Sequence, residues 1–158
     1  MIDDFVDDLD ALMEIIEEEA VERYENDLYV FEATSPSSFE ALRTSFAAAL
    51  CPMLSRVTGK AVSRCDLRAY AYRAGHYLLP HTDHQDGLER RLAYAYYVPS
   101  PEPPVGGELE LFDGYAHAKY IAPRANRLVV FDVSEISLHQ VCEVLEGLRL
   151  SLAGWFYP

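Results

Sequence analysis

The stretch from Leu148 to Tyr157, Leu-Arg-Leu-Ser-Leu-Ala-Gly-Trp-Phe-Tyr, decides the fold because it is strand-like and its residues follow a period of two. Successive side chains of a β-strand point to opposite sides of the sheet, so one face carries Arg149, Ser151, Ala153 and Trp155. We take this face to be the inner one. An arginine there is costly unless an anion meets it, and no acid of this strand alternates into place. An anionic ligand is therefore expected in front of Arg149.

Similar short runs extend back to Gly59 and are separated by turn signals such as Ala74-Gly75, Asp113-Gly114 and Glu146-Gly147. The predicted strands cover about 62–72, 79–84, 90–98, 107–112, 117–122, 127–132, 138–144 and 148–157. Eight short strands at this spacing predict a mainly β, antiparallel barrel or jelly roll of the cupin type over residues 61–158.

Residues 1–60 are predicted to be helical and to cover one outer face of this barrel. Apolar residues recur at helical spacing over 3–25, and a capping-box pattern at 37–40 starts a second helix that Pro52 interrupts. The chain is thus expected to be one α+β domain spanning residues 1–158, which is long enough to bury a core.

The net charge of −13 is concentrated at the N-terminus. Residues 1–27 hold 12 acids and one base, which leaves −2 on the other 131 residues. We interpret this acidity as a solvated helix face, and it argues against direct binding of nucleic acid, which favours a basic surface.

The composition also bears on location. No apolar run approaches the ~20 residues that span a bilayer, and the acidic start is unlike a signal peptide. Cys51, Cys65 and Cys142 are odd in number and lack CxxC spacing, which is typical of reduced thiols. We therefore expect a cytoplasmic protein without a membrane partner, with its three cysteines in the core.

His81-Thr-Asp83, together with the distant His139, forms the candidate metal site. His81 and Asp83 share one face of a strand, and two imidazoles with one carboxylate can hold Fe(II) on one side while leaving positions open. Arg149 offers a planar fork to a carboxylate. The alternative is that the two histidines are unrelated and that Arg149 pairs with Glu143 or Glu146. His76 and His117 lie in turn-rich segments and are predicted to be surface residues.

Several segments resemble the Fe(II)/2-oxoglutarate dioxygenases of the prolyl 4-hydroxylase-like branch, over roughly residues 62–158. The matching segments, in chain order, are Tyr72-Arg-Ala-Gly75 before Pro80-His81-Thr-Asp83, Arg91-Leu-Ala-Tyr-Ala-Tyr-Tyr97, Gly106-Gly-Glu-Leu109, Leu138-His139-Gln-Val141 and Arg149-Leu-Ser-Leu-Ala-Gly-Trp155. The resemblance implies a double-stranded β-helix, Fe(II) as cofactor, and 2-oxoglutarate and O2 as co-substrates.

The resemblance also implies roles for individual residues. His81, Asp83 and His139 would bind the iron, and Arg149 would pair with the distal carboxylate of 2-oxoglutarate. Tyr97 would add a hydrogen bond to that carboxylate, and Tyr72 would lie near the metal and the co-substrate.

Alternation along the strand of Tyr97 places Ala93, Ala95 and Arg91 inside as well, so Arg91 is a candidate substrate contact. A solvated arginine at a strand end is the equal alternative. Trp155 is interpreted as a wall of the pocket.

The expected reaction is hydroxylation of a C–H bond, with succinate and CO2 as co-products. A prolyl or other residue of a protein or peptide is the favoured substrate. The alternatives are hydroxylation of a free amino acid or natural-product intermediate, a catalytically silent cupin-like domain that binds a metal and a small acid, and a hydrolytic or isomerising cupin.

Overall fold

The computed structural model describes residues 1–114 and 116–158, with the side chains of all but His117 and Ala118. Its two helices are α1 (Leu9–Glu17) and α2 (Glu40–Thr58). The strands of the first half are β1 (Val21–Asn26), β2 (Tyr29–Thr34), β3 (Arg64–Cys65), β4 (Arg68–Arg73), β5 (Tyr77–His81) and β6 (Leu92–Tyr97). Those of the second half are β7 (Val105–Gly106), β8 (Leu109–Asp113), β9 (Ala116–Ile121), β10 (Arg127–Asp132), β11 (His139–Val141), β12 (Val144–Glu146) and β13 (Leu148–Tyr157).

Most of these strands form one antiparallel sheet in the order β10-β6-β13-β4-β2-β5-β11-β8-β9. Strand β1 pairs with β2, β3 pairs with β13, and β7 and β12 form a separate pair. Residues from nine strands line a single cavity, so the sheet curls around it. The predicted mainly β, curled antiparallel architecture is confirmed.

The N-terminal region differs from the prediction, because the helix expected over 3–25 is only the nine residues of α1. The acids Glu17, Glu18 and Glu19 follow at its carboxyl end, where negative charge opposes the helix dipole, and the last turn has no base to offset them. The chain then forms the β1–β2 hairpin. Its turn is fixed by Asn26, whose side-chain oxygen accepts from the backbone N–H groups of Leu28 and Tyr29.

This hairpin is part of the main sheet, since β2 lies between β4 and β5. The prediction that residues 1–60 are entirely helical is therefore wrong. The spacing of Val21 and Tyr24 fits a helical stripe, but these residues belong to a strand whose partner comes later in the chain.

The second helix covers one outer face of the sheet, as predicted. Helix α2 continues through Pro52 without interruption and ends at Gly59, whose φ of 72° suits the left-handed helix terminus. The main core lies between helix and sheet and includes Phe46, Leu50, Tyr94 and Phe156, with Leu12 from α1. In the described part of the chain, neither helix is long and apolar enough to cross a membrane.

Candidate metal and co-substrate site

Three potential metal ligands converge at the junction of β5 and β11. His81 lies directly opposite His139 in the register of these two strands, and Asp83 follows two residues after the first histidine. Asp83 Oδ1 lies 3.6 Å from His81 Nε2, and Oδ2 lies 3.4 Å from His139 Nε2. One candidate ligand atom from each residue lies within 4.8 Å of the other two, a spacing that fits one shared divalent ion.

Both imidazole rings are oriented by the backbone. His81 Nδ1 lies 2.9 Å from the carbonyl oxygen of Leu79, and His139 Nδ1 lies 3.0 Å from that of Ser137. A carbonyl oxygen can only accept, so each Nδ1 donates its proton there, and Nε2 is the nitrogen that can bind a metal once it carries no proton. Both Nε2 atoms face the Asp83 carboxylate, so the donor set fits Fe(II).

Asp83 is held in the ionised form that a metal ligand requires. Burial alone would raise the pKa of this carboxyl, whose side chain is only 11% exposed. Pairing with the imidazoles of His139 and His81 outweighs burial and holds the pKa of Asp83 well below its usual range. Burial would lower the pKa of His81, but the pairing with Asp83 and the contact with the Leu79 carbonyl raise it above its usual value.

Arg149 points into the same cavity from β13 and is only 3% exposed. Its Nη1 donates to Ser151 Oγ at 3.3 Å, and its buried Nε has no hydrogen-bond partner in the described part of the structure. No carboxylate of the described residues forms an ion pair with it, so the pairing with Glu143 or Glu146 does not occur there. A buried guanidinium without an anion indicates that a ligand carboxylate belongs beside it.

Two tyrosines flank this guanidinium. The Arg149 Cζ atom lies 4.9 Å from the ring centre of Tyr72 and 5.0 Å from that of Tyr97. The Tyr97 hydroxyl is buried and has no partner within the described residues, and burial raises the pKa of Tyr72. The Tyr72 hydroxyl therefore remains protonated near neutral pH, and the hydroxyls of both tyrosines are available as donors to a carboxylate held by Arg149.

The cavity lined by the three candidate metal ligands, Arg149 and Tyr72 has a volume of about 370 Å³, within the range of small-molecule sites. Ala93 and Ala95 of β6 leave room beside Arg149, as predicted from their alternation. Strands β8, β10 and β11 contribute the apolar side chains of Leu109, Phe131 and Val141 to the wall. Phe131 packs its ring edge-on against His139, with 4.8 Å between centroids.

Of the two predicted pocket residues on the substrate side, Trp155 lines the cavity and Arg91 does not. Strand β6 begins at Leu92, so the alternation that places Ala93 inside ends before Arg91, which is exposed at the strand end. Its neighbour Arg90 contacts the site residues Trp155 and Asp83 but does not line the cavity. The Arg90 guanidinium lies 3.5 Å from the Trp155 ring centre, and Nη1 donates to the Asp83 carbonyl oxygen at 3.1 Å.

Sequence reasoning missed a second group of cavity residues. They are Tyr24, Tyr29 and Phe31 of the β1–β2 hairpin, with Arg68 and Tyr70 of β4. The three hairpin aromatics lie within residues 1–60, which were predicted to be helical, and only Tyr24 lies in the segment 3–25 with helical spacing. The period of two that puts Tyr72 in the cavity also puts Tyr70 and Arg68 there, so alternation along β4 was the available signal.

The predictions for the other histidines and for the cysteines were partly correct. His76 is buried and not on the surface, and its Nε2 lies 3.0 Å from Arg23 Nη1. The side chain of His117 lies outside the described residues. Cys51 and Cys65 are buried free thiols as predicted, whereas Cys142 is half-buried.

Comparison with known proteins gives the class of protein that this fold and site define. The sequence matches the model of the 2OG-Fe(II) oxygenase superfamily over residues 67–157, which is 91 of 158 residues. The chain belongs to this family, whose cofactor is Fe(II) and whose co-substrates are 2-oxoglutarate and O2.

Two individual proteins of known name are similar to this chain in sequence. The chain is 38% identical over 152 residues to mouse prolyl 3-hydroxylase OGFOD1, covering 86% of this chain and 27% of that protein. It is 33% identical to the Xenopus laevis protein of the same name, covering 99% and 34%. The chain thus spans about a third or less of the curated relatives it matches.

A Pseudomonas putida prolyl-4-hydroxylase has the same fold, with a TM-score of 0.74 at 23% identity, covering 93% of this chain and 82% of that one. The structure is a 2OG-Fe(II) oxygenase jelly roll, as predicted.

Gly107 offers a test of the Arg149 pocket. A Cβ atom at Gly107 would lie 2.9 Å from Val144 Cγ2 and 3.0 Å from Arg149 Cδ, and the φ of 70° is unfavourable for any other residue. We expect Gly107→Ala to displace Arg149 and to weaken 2-oxoglutarate binding by about tenfold, measured by calorimetry with a redox-inert metal.

Gly59→Ala is the matched control, because Gly59 has a φ of 72° and nothing lies within 4 Å of its added Cβ. Both variants should lose about 1–2 kcal/mol of stability through backbone strain, but Gly59→Ala should retain wild-type affinity for 2-oxoglutarate. Equal 2-oxoglutarate affinity in the two variants would show that Gly107 does not position Arg149.

Proposed function

We propose that this chain is an Fe(II)- and 2-oxoglutarate-dependent hydroxylase that acts on a prolyl residue of a protein or peptide. The observation that carries the proposal is the convergence of His81, Asp83 and His139 in one cavity with a buried Arg149 that lacks an anion. The prolyl target is supported by the names of the relatives, since the similar mouse and frog proteins are prolyl 3-hydroxylases.

The residues divide into two sets. His81, Asp83 and His139 would hold Fe(II), and Arg149 would bind the distal carboxylate of 2-oxoglutarate, with Tyr97 and Tyr72 donating hydrogen bonds nearby. When bound, the iron with 2-oxoglutarate and O2 supplies the oxidising power, and the co-substrate leaves as succinate and CO2.

The protein contributes orientation and exclusion of water. The backbone carbonyls behind both histidines fix the direction of Nε2, and the fork of Arg149 fixes the far end of the co-substrate. Leu109, Phe131 and Val141 keep that side of the cavity apolar. A cytoplasmic location remains a prediction from the composition.

The experiment that tests the proposal is aerobic incubation with Fe(II), 2-oxoglutarate and a library of capped peptides, each with one central proline. We expect succinate formation that depends on peptide, and a gain of one oxygen on the prolyl residue by mass spectrometry. If the protein oxidised free L-proline or another small molecule and none of the peptides, the proposed peptide substrate would be wrong and the chain would be a small-molecule hydroxylase. An absence of succinate under all conditions would refute it.

A further inference from the structure

We propose that Arg68 is the substrate anchor of this site, and that it donates hydrogen bonds to an oxygen acceptor adjoining the ring of the target residue. The acceptor is a main-chain carbonyl when the target lies within a polypeptide, or a carboxylate when the target is a free amino acid. This inference rests on the proposed function, and it names a residue that binds the substrate in the same cavity.

The first support is the position of Arg68. It lies on the same face of β4 as Tyr70 and Tyr72, and all three line the cavity. Tyr72 contacts Arg149, the residue placed at the co-substrate end. Arg68 is four residues from Tyr72 along the same strand face, which separates the Cα atoms of these two residues by about 13 Å. Tyr72 is the residue opposite Arg149 in the pairing of β4 with β13, so Arg68 and Arg149 enter the cavity from different backbone positions.

The second support is the fixed orientation of the Arg68 guanidinium. Its Nε donates to the Thr34 carbonyl oxygen at 2.7 Å, and its Nη2 donates to the Tyr24 hydroxyl at 3.0 Å. The guanidinium carbon also lies 5.1 Å from the Tyr24 ring centre and 5.5 Å from that of Tyr70. A guanidinium held in this way loses little freedom on binding and presents its remaining donors in a set direction.

The third support is the charge of the cavity lining. In a chain of net charge −13, the charged lining residues other than histidines are Arg68, Arg149 and Asp83. Asp83 belongs to the metal set and Arg149 to the co-substrate. Arg68 forms no ion pair with any carboxylate in the part of the chain that the structure describes, and both of its hydrogen bonds go to neutral oxygens. Its positive charge is thus left for a ligand oxygen.

The aromatic rings around Arg68 suit a prolyl ring. Tyr24 and Phe31 stack with 5.6 Å between centroids, and Phe31 meets Tyr70 edge-on at 5.5 Å, so the hairpin and β4 form one aromatic wall. Aromatic-lined grooves are a recurrent way of binding proline in extended peptides. The wall would hold the ring while Arg68 fixes the neighbouring carbonyl.

The test compares Arg68→Gln and Arg68→Lys with wild type on the best capped peptide of the proline library and on free L-proline. We expect Arg68→Gln to raise KM for the oxidised substrate by about tenfold or more, the loss typical of a charged hydrogen bond. The kcat should change much less. Arg68→Lys should recover part of the loss, because it keeps the charge without the fork.

The control variant is Arg64→Gln. Arg64 also stacks on a tyrosine, at 4.2 Å from the Tyr157 ring centre, but it is exposed and outside the cavity. Arg64→Gln should have the KM and kcat of the wild-type protein. The affinity of Arg68→Gln for 2-oxoglutarate and its visible absorption with Fe(II) and 2-oxoglutarate without O2 should also match wild type, which a general loss of structure would not allow.

The outcomes separate the two sources of the acceptor. If the protein oxidises a capped peptide and Arg68→Gln raises the KM for it, the acceptor for Arg68 is a main-chain carbonyl. If the protein oxidises only L-proline and Arg68→Gln raises the KM for it, the acceptor is a carboxylate. The proposal that the substrate is a protein or peptide is then wrong. An unchanged KM in Arg68→Gln, or a KM that changes only together with 2-oxoglutarate affinity and melting temperature, overturns the role of Arg68. A wild-type protein that oxidises neither substrate overturns the proposed function itself.

Discussion

Replacing Asp83 by alanine is expected to abolish Fe(II) binding at the site and, with it, turnover. The carboxylate lies between both histidine Nε2 atoms and is kept ionised by them, so its removal takes away the only anionic ligand of the set. The loss of metal affinity should exceed the 10- to 100-fold typical of mutating a residue that merely orients a ligand. Anaerobic Fe(II) titration measures the affinity, and succinate release measures turnover.

Asp86→Ala is the matched control, since Asp86 is an exposed carboxylate three residues further along the same loop. It should bind Fe(II) as wild type does. If Asp83→Ala retained both wild-type metal affinity and turnover, the iron would have to bind elsewhere and the three-residue site would be wrong.

Replacing Arg149 by lysine is expected to weaken 2-oxoglutarate binding by roughly 10- to 100-fold, equivalent to about 1.5–3 kcal/mol for a charged hydrogen bond. Lysine keeps the positive charge but cannot present two parallel N–H groups to a carboxylate. Fe(II) affinity should change much less, because Arg149 lies outside the ligand set. Calorimetric titration of 2-oxoglutarate, with a redox-inert metal in place of iron, measures the first affinity, and anaerobic Fe(II) titration measures the second.

Arg91→Lys serves as the control for this variant, because Arg91 is exposed and does not line the cavity. Equal 2-oxoglutarate affinity in wild type and Arg149→Lys would remove Arg149 from the co-substrate site. It would also leave the buried guanidinium without an explanation.

The candidate site could be predicted from sequence because its signals are local. His81 and Asp83 are two residues apart on one strand face, and Arg149 sits in a long run with a clear period of two. The position of His139 opposite His81 depends on the pairing of strands nearly 60 residues apart, and spacing alone does not determine that register.

The substrate side was harder to predict because it depends on tertiary pairing. The β1–β2 hairpin comes from a segment whose apolar spacing fits a helix, and only its insertion between β4 and β5 makes it strand. The failure of Arg91 to enter the cavity depends on where β6 begins, because the alternation of side chains holds only within the strand. Local periodicity does not resolve a strand end to that accuracy.

The most direct measurement of the central claim is an anaerobic titration of the wild-type chain with Fe(II) and then 2-oxoglutarate, followed by visible absorption. If His81, Asp83 and His139 hold one iron with open positions that 2-oxoglutarate can chelate, a charge-transfer band should grow and saturate at one equivalent of each. A band that fails to appear, although both ligands are present and the protein is folded, would contradict the account.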